Sequence, residues 1–477
     1  MPAFHTISFG CRASQADGSA LEEELLQRGF SRADAYSGAD IVVLNTCTVT
    51  ASADAEARQI ARRIHRENPQ ARILVTGCYA QRDPQQAASL PGVRWVVGNS
   101  HKSQIGALLA ETPPRLAGSS GFIPLEKITH PGDVATHATD HDQRALGEVA
   151  SAAAPGAAPG EVQIFSGNIL EQRQFAAAPF FGLTAAERTR PSLKIQDGCN
   201  SRCSFCVIPQ VRGPSRSLPL AEVLEQVRSL LRAGYREVVL SGINLGRYGR
   251  DLSGQMRFPQ LLRAILNDTS LERLRLSSVE PMDFTDPLLD LMASTPRIAP
   301  HVHAPLQSGS LRVLRLMRRK YRPEHYRGRL LAAYQRMPRA AFGADVMVGF
   351  PGETEADFEQ TRRLIESLPF TYLHVFPFSR RPNTPADSLP QQVHGAVIRE
   401  RGRILRELAA EKNRRFRERQ IGRVLSVLTL DQEEGGGTMA LSDNYLKVRI
   451  AGERLPANQF VAVRITSLSD SGLAGEP

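Results

Sequence analysis

The chain has 477 residues, 42% of them hydrophobic, with a formal net charge of +10. That length and apolar content give two to four domains with sizeable cores and exclude disorder as the default. No apolar stretch approaches the roughly 20 residues that span a bilayer, and the start MPAFHTISFG lacks the basic and apolar regions of a signal peptide. A cytoplasmic protein with no membrane partner is expected. In such a compartment six cysteines argue against a disulfide framework and for metal ligation or thiol chemistry. The positive charge suggests a polyanionic partner.

In chain order, the first three cysteines share a setting. Cys11 follows HTISFG, Cys47 follows IVVLNT and Cys78 follows RILVTG, each a short β-branched or apolar run that reads as a strand. Helical patterns, SALEEELLQRGF and DAEARQIARRIHREN, lie between them. Residues 1–112 therefore read as an α/β domain with a parallel sheet. Ligands collect outside the carboxyl ends of such strands, where all three cysteines fall. Residues 113–188 include ASAAAPGAAPGE and too few apolar anchors to offset the entropy of ordering, so they read as a linker or partly disordered insertion. Within it, EVQIFSGNIL is a candidate strand or hairpin.

Over residues 189–414 the alternation returns. The strands PSLKIQD, REVVLSG, LERLRLSS, PHVHAPLQ, GADVMVGF and YLHVFPF are separated by helical patterns such as PLAEVLEQVRSLLRAG. Such a succession predicts a partial (β/α)6 barrel with its site at the carboxyl ends of the strands. Helical character continues through GAVIRERGRILRELAAEKNRRFRERQ. From residue 415 to 477 the short runs GRVLSVLTL, NYLKVRI and NQFVAVRITSL predict a small antiparallel β-barrel. The fold class is α/β, with a terminal β-barrel.

The second cysteine group, Cys199, Cys203 and Cys206, has the spacing Cys-x3-Cys-x2-Cys in the first strand-to-helix loop of the central region. A structural zinc site needs a fourth Cys or His nearby, and the next histidines, His301 and His303, belong to another strand. Three thiolates at short spacing suit an iron–sulfur cubane, on which they leave one iron open. This spacing after the first strand of a partial barrel resembles the radical S-adenosylmethionine (SAM) superfamily. The resemblance implies SAM bound to the open iron and cleaved by one electron to a 5′-deoxyadenosyl radical.

A narrower resemblance covers nearly the whole chain. CRASQADG, VVLNTCTVTASADAEARQ and VTGCYAQ are similar to the amino-terminal domain of the tRNA methylthiotransferases, and LKIQDGCNSRCSFCVIPQVRG, LSGINLGRYG, PLQSGS and DVMVGFPGET to their radical SAM domain. The tail looks like their TRAM RNA-binding barrel. NTCTVT, KIQDGCN and LHVFPFSRRPNTPA most resemble the branch that places a methylthio group at C2 of N6-threonylcarbamoyladenosine beside the anticodon.

The resemblance implies two 4Fe-4S clusters, the radical-generating one on Cys199, Cys203 and Cys206 and an auxiliary one on Cys11, Cys47 and Cys78. It implies SAM contacts from Phe205 near the adenine, from Ser241 and Gly242 in a turn that accepts the amino group, and from Ser278, Glu280 and Gln307 on the same rim. Glu280 has a second reading as the partner of an arginine. Gly349 and Gly352 would let backbone approach the ligand, and Asp345 is a further candidate in that strand. The implied partners are a tRNA anticodon stem-loop, a flavodoxin-like or ferredoxin-like electron donor and a sulfur donor.

The arginines of Arg399–Arg423 and of RVLRLMRRKYRPEHYRGR (312–329) are candidate RNA contacts, with an ordinary solvated helix face as the alternative. Sister branches acting on isopentenyladenosine in tRNA or on a ribosomal-protein aspartate share the architecture. A different class, a non-catalytic iron–sulfur or zinc RNA-binding module, stays open beside them.

Overall fold

The computed structural model describes residues 2–111, 161–173, 175, 179–180, 189–254, 256–469 and 472–477. Strands β1 (Ala3–Ser8), β2 (Ser31–Arg32), β3 (Ile41–Thr46), β4 (Arg72–Gly77), β5 (Val93–Gly98) and β6 (Gln163–Phe165) form one sheet in the order β2-β1-β3-β4-β5-β6. Every pair in it is parallel. β3 is buried along its whole length, as the unbroken apolar run IVVL requires of a strand covered on both faces. Helices Arg12–Gln27 and Ala51–Glu67 supply crossovers, the second capped by the Thr50 hydroxyl on Ala53 N–H. The expected strands before Cys11, Cys47 and Cys78 are therefore β1, β3 and β4.

One strand of the first sheet lies beyond the sequence expectation, and the candidate strand in EVQIFSGNIL is found paired with that sheet. β5 adds a strand after the third cysteine, and β6 brings part of EVQIFSGNIL back as the edge strand beside β5. Residues 163–165 thus complete the amino-terminal sheet, and Ile169 behind them is buried. Most of the expected linker, including ASAAAPGAAPGE, lies outside the described residues.

The central region carries β7 (Pro179–Phe180), β8 (Ser192–Asp197), β9 (Arg216–Ser217), β10 (Glu237–Gly242), β11 (Arg273–Leu276), β12 (His301–His303), β13 (Ala341–Val348) and β14 (Tyr372–Pro377). β8, β10 and β11 are parallel neighbours, as are β12, β13 and β14, and the bridge Leu274–Ile298 links the two groups. The six strands read from sequence thus appear in order around an open barrel, to which β7 and β9 add antiparallel pairings with β8.

Side chains alternate along these strands. Leu193, Ile195, Val238, Leu240, Leu274, Leu276, Val302, Phe342, Ala344 and Val346 enter the apolar core. The intervening Lys194, Gln196, Glu237, Ser241, Arg273, Arg275, His301 and His303 are buried on the other face. That face is a polar lumen.

Other parts of the chain cover the lumen at its amino end and along one side. The terminal barrel, β15 (Val424–Glu434), β16 (Gly437–Ser442), β17 (Lys447–Ile450), β18 (Phe460–Leu468) and β19 (Leu473–Glu476), closes in the order β15-β16-β17-β19-β18. Its Ser442 and Asp443 carbonyls accept from Arg275, its Ser426 hydroxyl accepts from Arg273 at 2.7 Å, and Tyr445 stacks on His301 at 4.8 Å. These contacts plug the amino ends of β11 and β12. Helix Arg12–Gln27 of the amino-terminal unit packs against β8 and β10.

The junction is a buried ion cluster. Asp17 on that helix pairs with Lys194, with Arg212 at 3.0 Å and with Lys102 at 3.1 Å, while Asp197 accepts from Arg212 at 2.9 Å and from Lys194 at 3.2 Å. Burial alone would raise both carboxyls. The surrounding Lys and Arg charges outweigh it, holding Asp17 well below the usual carboxylate range and Asp197 at about 2. A second buried group joins the same halves: Arg381, beyond β14, donates to Asp54 Oδ2 at 2.7 Å and to the Thr48 carbonyl at 3.0 Å.

Asp17→Ala leaves Lys194 and Arg212 buried with one carboxylate between them, and about 3–5 kcal/mol of stability should be lost, measured by denaturant unfolding. Because the folded-state pKa of Asp197 is depressed, its contribution is present above the ordinary value of 3.8 and is lost as pH falls toward about 2. The unfolding midpoint of the metal-free chain should therefore drop between about pH 4 and about pH 2 by a margin that Asp197→Asn narrows.

Candidate functional site

The loop after β8 is shaped from its own sequence. Gln196 Nε2 donates to the carbonyls of Asp197 and Gly198, both at 2.8 Å, and its Oε1 accepts from Asn244 N–H at 2.7 Å. Gly198 turns the chain at φ +70°, and a Cβ there would lie 2.0 Å from the Pro214 carbonyl oxygen, so the turn demands glycine. Cys199 N–H then donates to the Gly213 carbonyl, and Cys206 N–H to the Cys203 carbonyl. Ser204 is held from both sides, its N–H on the Met317 carbonyl and its hydroxyl on that of Leu316. The loop is held by hydrogen bonds within the chain.

Donors already surround the three sulfurs. Ser201 N–H lies 3.4 Å and Asn244 Nδ2 3.7 Å from Cys199 Sγ, and Arg319 Nη1 lies 3.4 Å from Cys203 Sγ. Burial, reinforced by the other two thiols, pushes Cys206 up to about 12. Burial raises Cys203 as well, against the pull of Arg319. Each of these thiols feels the charge of the others, and binding a metal cluster deprotonates them. An all-sulfur set with N–H donors aimed at the sulfurs fits an iron–sulfur cluster.

The rim beside this loop is rich in buried polar atoms without partners. Ser241 Oγ, Asn244 Oδ1, Ser277 Oγ and Gln307 Oε1 are all of this kind, as a site for a polar ligand should be. Gln307 also holds a left-handed conformation at φ +60°, uncommon outside glycine. Ser241, Gly242 and Gln307 thus lie together at the carboxyl ends of the strands. Ser278 is exposed, and its neighbour Ser277 takes the inward place because side chains alternate beyond β11.

Glu280 is bound by Arg319 at 2.5 Å, so one arginine joins the carboxylate to the cysteine loop. Phe205 is half-buried, edge-on to Phe350 at 6.4 Å. Gly349 and Gly352 have positive φ, and both N–H groups are engaged within the chain, on Glu353 and on the Gln391 carbonyl. A Cβ on Gly349 would meet Ile398 at 2.4 Å, which accounts for glycine by packing.

Asn244 and Ser277 are absent from the residues picked by sequence, and Arg319 is picked there only as one of the candidate RNA contacts of 312–329. Arg319 sits in the word MRRKY and reads there as one more surface charge; only the fold shows it buried between Glu280 and Cys203.

The other three cysteines also converge. Cys11 precedes helix Arg12–Gln27, Cys47 follows β3, and Cys78 opens helix Cys78–Arg82 after β4. A Cβ on Gly10 would lie 2.7 Å from Cys47 Sγ, so glycine lets the two loops touch. Burial, with the charges of the Cys78 and Cys11 thiols, pushes Cys47 up to about 12. Burial also raises Cys78, opposed by the nearby Arg212 cation. Asn99 Nδ2 lies 3.6 Å from Cys78 Sγ, and Arg212 Nη2 donates to Ser14 Oγ, itself 3.8 Å from Cys11 Sγ. This set too is all sulfur with donors nearby.

The two triads meet across helix Ile208–Arg212. Cys78 packs in one apolar cluster with Val207, Ile208 and Val211, and Cys199, Cys206 and Ile243 lie against the same cluster.

The basic stretches are partly consumed by internal pairing. On helix Gly395–Glu418, Arg403 pairs with Glu400 and Glu407, and Arg414 with Glu411 and Glu418. In the 312–329 stretch, Arg312 binds Asp357, Arg319 Glu280 and Arg329 Asp286. A cavity of about 570 Å³ between that helix and the terminal barrel is lined by Arg339, Arg419 and Arg423 with Tyr334. No described helix is long and apolar enough to cross a membrane.

Residues 3–98 match the family described as "Uncharacterized protein family UPF0004", and residues 193–365 match the radical SAM superfamily. The chain is 35% identical over 94% of its length to the "Threonylcarbamoyladenosine tRNA methylthiotransferase MtaB" of Aquifex aeolicus, covering 96% of that protein. It is 32% identical over 99% of its length to the "tRNA-2-methylthio-N(6)-dimethylallyladenosine synthase" of Paenarthrobacter aurescens, covering 85% of that protein. Among solved structures, the radical S-adenosylmethionine methyltransferase TsrM of Kitasatospora setae has a similar fold, with a TM-score of 0.53 at 18% identity over 81% of this chain and 75% of that one.

Arg319→Gln removes the positive charge 3.4 Å from Cys203 Sγ. Iron content after reconstitution should be unchanged, while the midpoint potential of the cluster signal falls, because adding an electron beside a cation is easier than without it. Redox titration followed by EPR reads this.

Proposed function

We propose, from the premise that this chain belongs to the tRNA methylthiotransferase family, that it converts C2–H of N6-threonylcarbamoyladenosine in tRNA, next to the anticodon, into C2–S–CH3. The radical SAM domain implies SAM and one 4Fe-4S cluster. Cys199, Cys203 and Cys206 would hold that cluster, and Cys11, Cys47 and Cys78 would hold a second one. The observation that carries the reading is the convergence of two all-sulfur triads on the two sides of one apolar cluster. A single-cluster or zinc module has no use for the second triad. A methylthio transfer needs both a radical source and a sulfur carrier within reach of one substrate atom.

Bound at these sites, the cofactors supply one-electron cleavage of a sulfonium and a sulfur for insertion, which acid–base side chains cannot provide at an unactivated purine carbon. The chain's residues position and enclose. Ser241, Gly242, Ser277 and Gln307 offer the unpartnered polar rim on which SAM would lie, with Phe205 against its adenine. Arg319 ties the radical triad to Glu280, so the cluster loop and the rim move as one piece. Arg212 holds the auxiliary triad's helix to β8 and places positive charge beside thiolates that would otherwise repel one another. Helix Arg12–Gln27 and the terminal barrel close the lumen to water from the side and from below.

The terminal barrel and the arginines at its junction with the long helix, Arg419 and Arg423 among them, would grip the anticodon stem-loop. Arginine binds phosphate as a two-pronged donor and stacks on splayed bases. An electron donor of the flavodoxin or ferredoxin kind and a sulfur donor complete the reaction. The likeness to the Aquifex aeolicus protein and the words NTCTVT and LHVFPFSRRPNTPA support the threonylcarbamoyl branch. The likeness to the Paenarthrobacter aurescens protein supports the dimethylallyl reading as the second one.

Anaerobic reconstitution should give about eight irons per wild-type chain, falling to about four in the Cys199/Cys203/Cys206→Ala variant. About four in wild type and none in the variant removes the second cluster. Cys47→Ala should still cleave SAM while losing methylthiolated product. Nucleoside mass spectrometry of tRNA from a strain lacking the gene should show loss of 2-methylthio-N6-threonylcarbamoyladenosine; loss of the dimethylallyl nucleoside instead would move the chain to the other branch.

A further inference from the structure

On the lumen face of β12, β13 and β14, away from both cysteine triads in sequence, the three strands bring together side chains for which the reaction above has no use. His303 ends β12, Asp345 lies in β13 and His374 in β14, and parallel pairing puts Asp345 directly beside His374 and His303 beside Gly343. All three alternate onto the lumen face. His303 Nε2 lies 3.2 Å from Asp345 Oδ2, His374 Nδ1 lies 3.1 Å from Asp345 Oδ1, and the ligating atoms all fall within 4.8 Å of one another. Ligands on a tetrahedral ion with bonds of 2.0–2.1 Å stand roughly 3.3 Å apart. The side chains are spaced as ligands before any ion is added.

The pocket is backed by a second layer. Tyr372 hydroxyl sits 2.9 Å from His303 Nδ1 and 2.6 Å from His301 Nε2, and His301 is stacked in turn against Tyr445 of the terminal barrel. One hydroxyl proton serves one imidazole; when it goes to His301, His303 Nδ1 must donate to the phenol oxygen. His303 Nε2 then carries a lone pair turned toward a carboxylate. His303 is 94% buried by its 6% exposure, and this Nε2 makes no hydrogen bond of proper alignment. A buried lone pair facing a carboxylate oxygen is an arrangement that a cation between them relieves. An outer-layer partner on the far nitrogen is the usual device that aims a metal-binding histidine.

We propose that His303, Asp345 and His374 form a binding site for one divalent transition-metal ion of the Zn2+ class, held by two imidazoles and a carboxylate. Two histidines and one carboxylate are a ligand set that borderline divalent ions accept while keeping a position for an outside donor. The His374 side chain is 63% exposed, so an ion has access to the site from that side. Magnesium and calcium, which prefer all-oxygen sets, are disfavoured by the two nitrogens. The site does not depend on the reaction assigned above, and its test is a binding measurement without tRNA.

The test uses the full chain with its iron–sulfur sites loaded, so that cysteines are occupied, and titrates it anaerobically with Co2+. The expected result is one equivalent bound with weak visible d–d bands and without the intense sulfur-to-cobalt charge-transfer band that cysteine ligation gives. Competition with Zn2+ should abolish the signal. His374→Ala, chosen because the side chain is largely exposed and the fold does not rest on it, should weaken binding at least about tenfold with unchanged iron content and circular dichroism. Asp345→Asn should do the same. No saturable binding in wild type, or an equal equivalent in both variants, overturns the proposal and leaves a hydrogen-bonded His-Asp-His group in its place.

Discussion

The structure depends on the charge cluster of Asp17, Lys194, Asp197 and Arg212. Four buried ionisable groups in contact are costly to desolvate, and they persist because each charge faces an opposite one with hydrogen bonds in place. Their location gives that arrangement its consequence. Asp17 stands on the helix that starts at Cys11, Lys194 and Asp197 on the strand that leads to Cys199, and Arg212 on the helix that follows Cys206. Apolar contacts alone would let these two surfaces slide; paired charges in low dielectric have one register. The charge cluster thereby helps fix the two cysteine triads relative to each other, together with the apolar cluster between them.

A second constraint is the polar lumen. Strands β8 and β10 to β13 each put apolar side chains outward to the helices and polar ones inward, the reverse of a barrel packed with branched aliphatics. Such an interior is stable only when its polar groups are paired or bound to something. At the bottom the pairing is internal: Glu237 receives Arg275 at 2.9 Å and Arg273 at 3.4 Å, while Tyr445 covers the opening under cation–π contact with Arg275. At the top it is incomplete. The partnerless oxygens of Ser241, Asn244, Ser277 and Gln307 gather there, beside the cysteine loop.

The terminal barrel serves two ends through two faces. Toward the lumen it is a plug, contributing carbonyls to Arg275 and an aromatic ring to His301. Away from it, with Arg419 and Arg423 at its junction with the long helix, it presents cations not absorbed by i,i+4 pairs, whereas much of that helix's remaining arginine content is balanced by glutamate. The net charge of the chain therefore overstates the surface available to a polyanion, and where the unbalanced part lies is a matter of folding.

The sequence by itself determined the parts that depend on local pattern. Short β-branched or apolar runs marked β1, β3, β4 and the six barrel strands, and the Cys-x3-Cys-x2-Cys spacing marked the loop after β8, because strand propensity and chelate spacing act over a few residues. Short strands with weak patterns, β16 (GTMALS) and β19 (LAGE), escaped, since their stability comes from barrel closure. Only the tertiary structure decided which residues beyond the cysteines face the site. Arg319 and Arg329 stand in one basic word, yet one is buried against Cys203 and the other is at the surface. Ser277 and Ser278 are adjacent and chemically alike, and the register of β11 alone turns the first inward. His303, Asp345 and His374 are 71 residues apart from end to end, counted along the sequence, and no local pattern connects them. Which charges pair and which polar atoms stay unpaired is fixed by contacts between distant strands, where burial makes each interaction strong enough to matter.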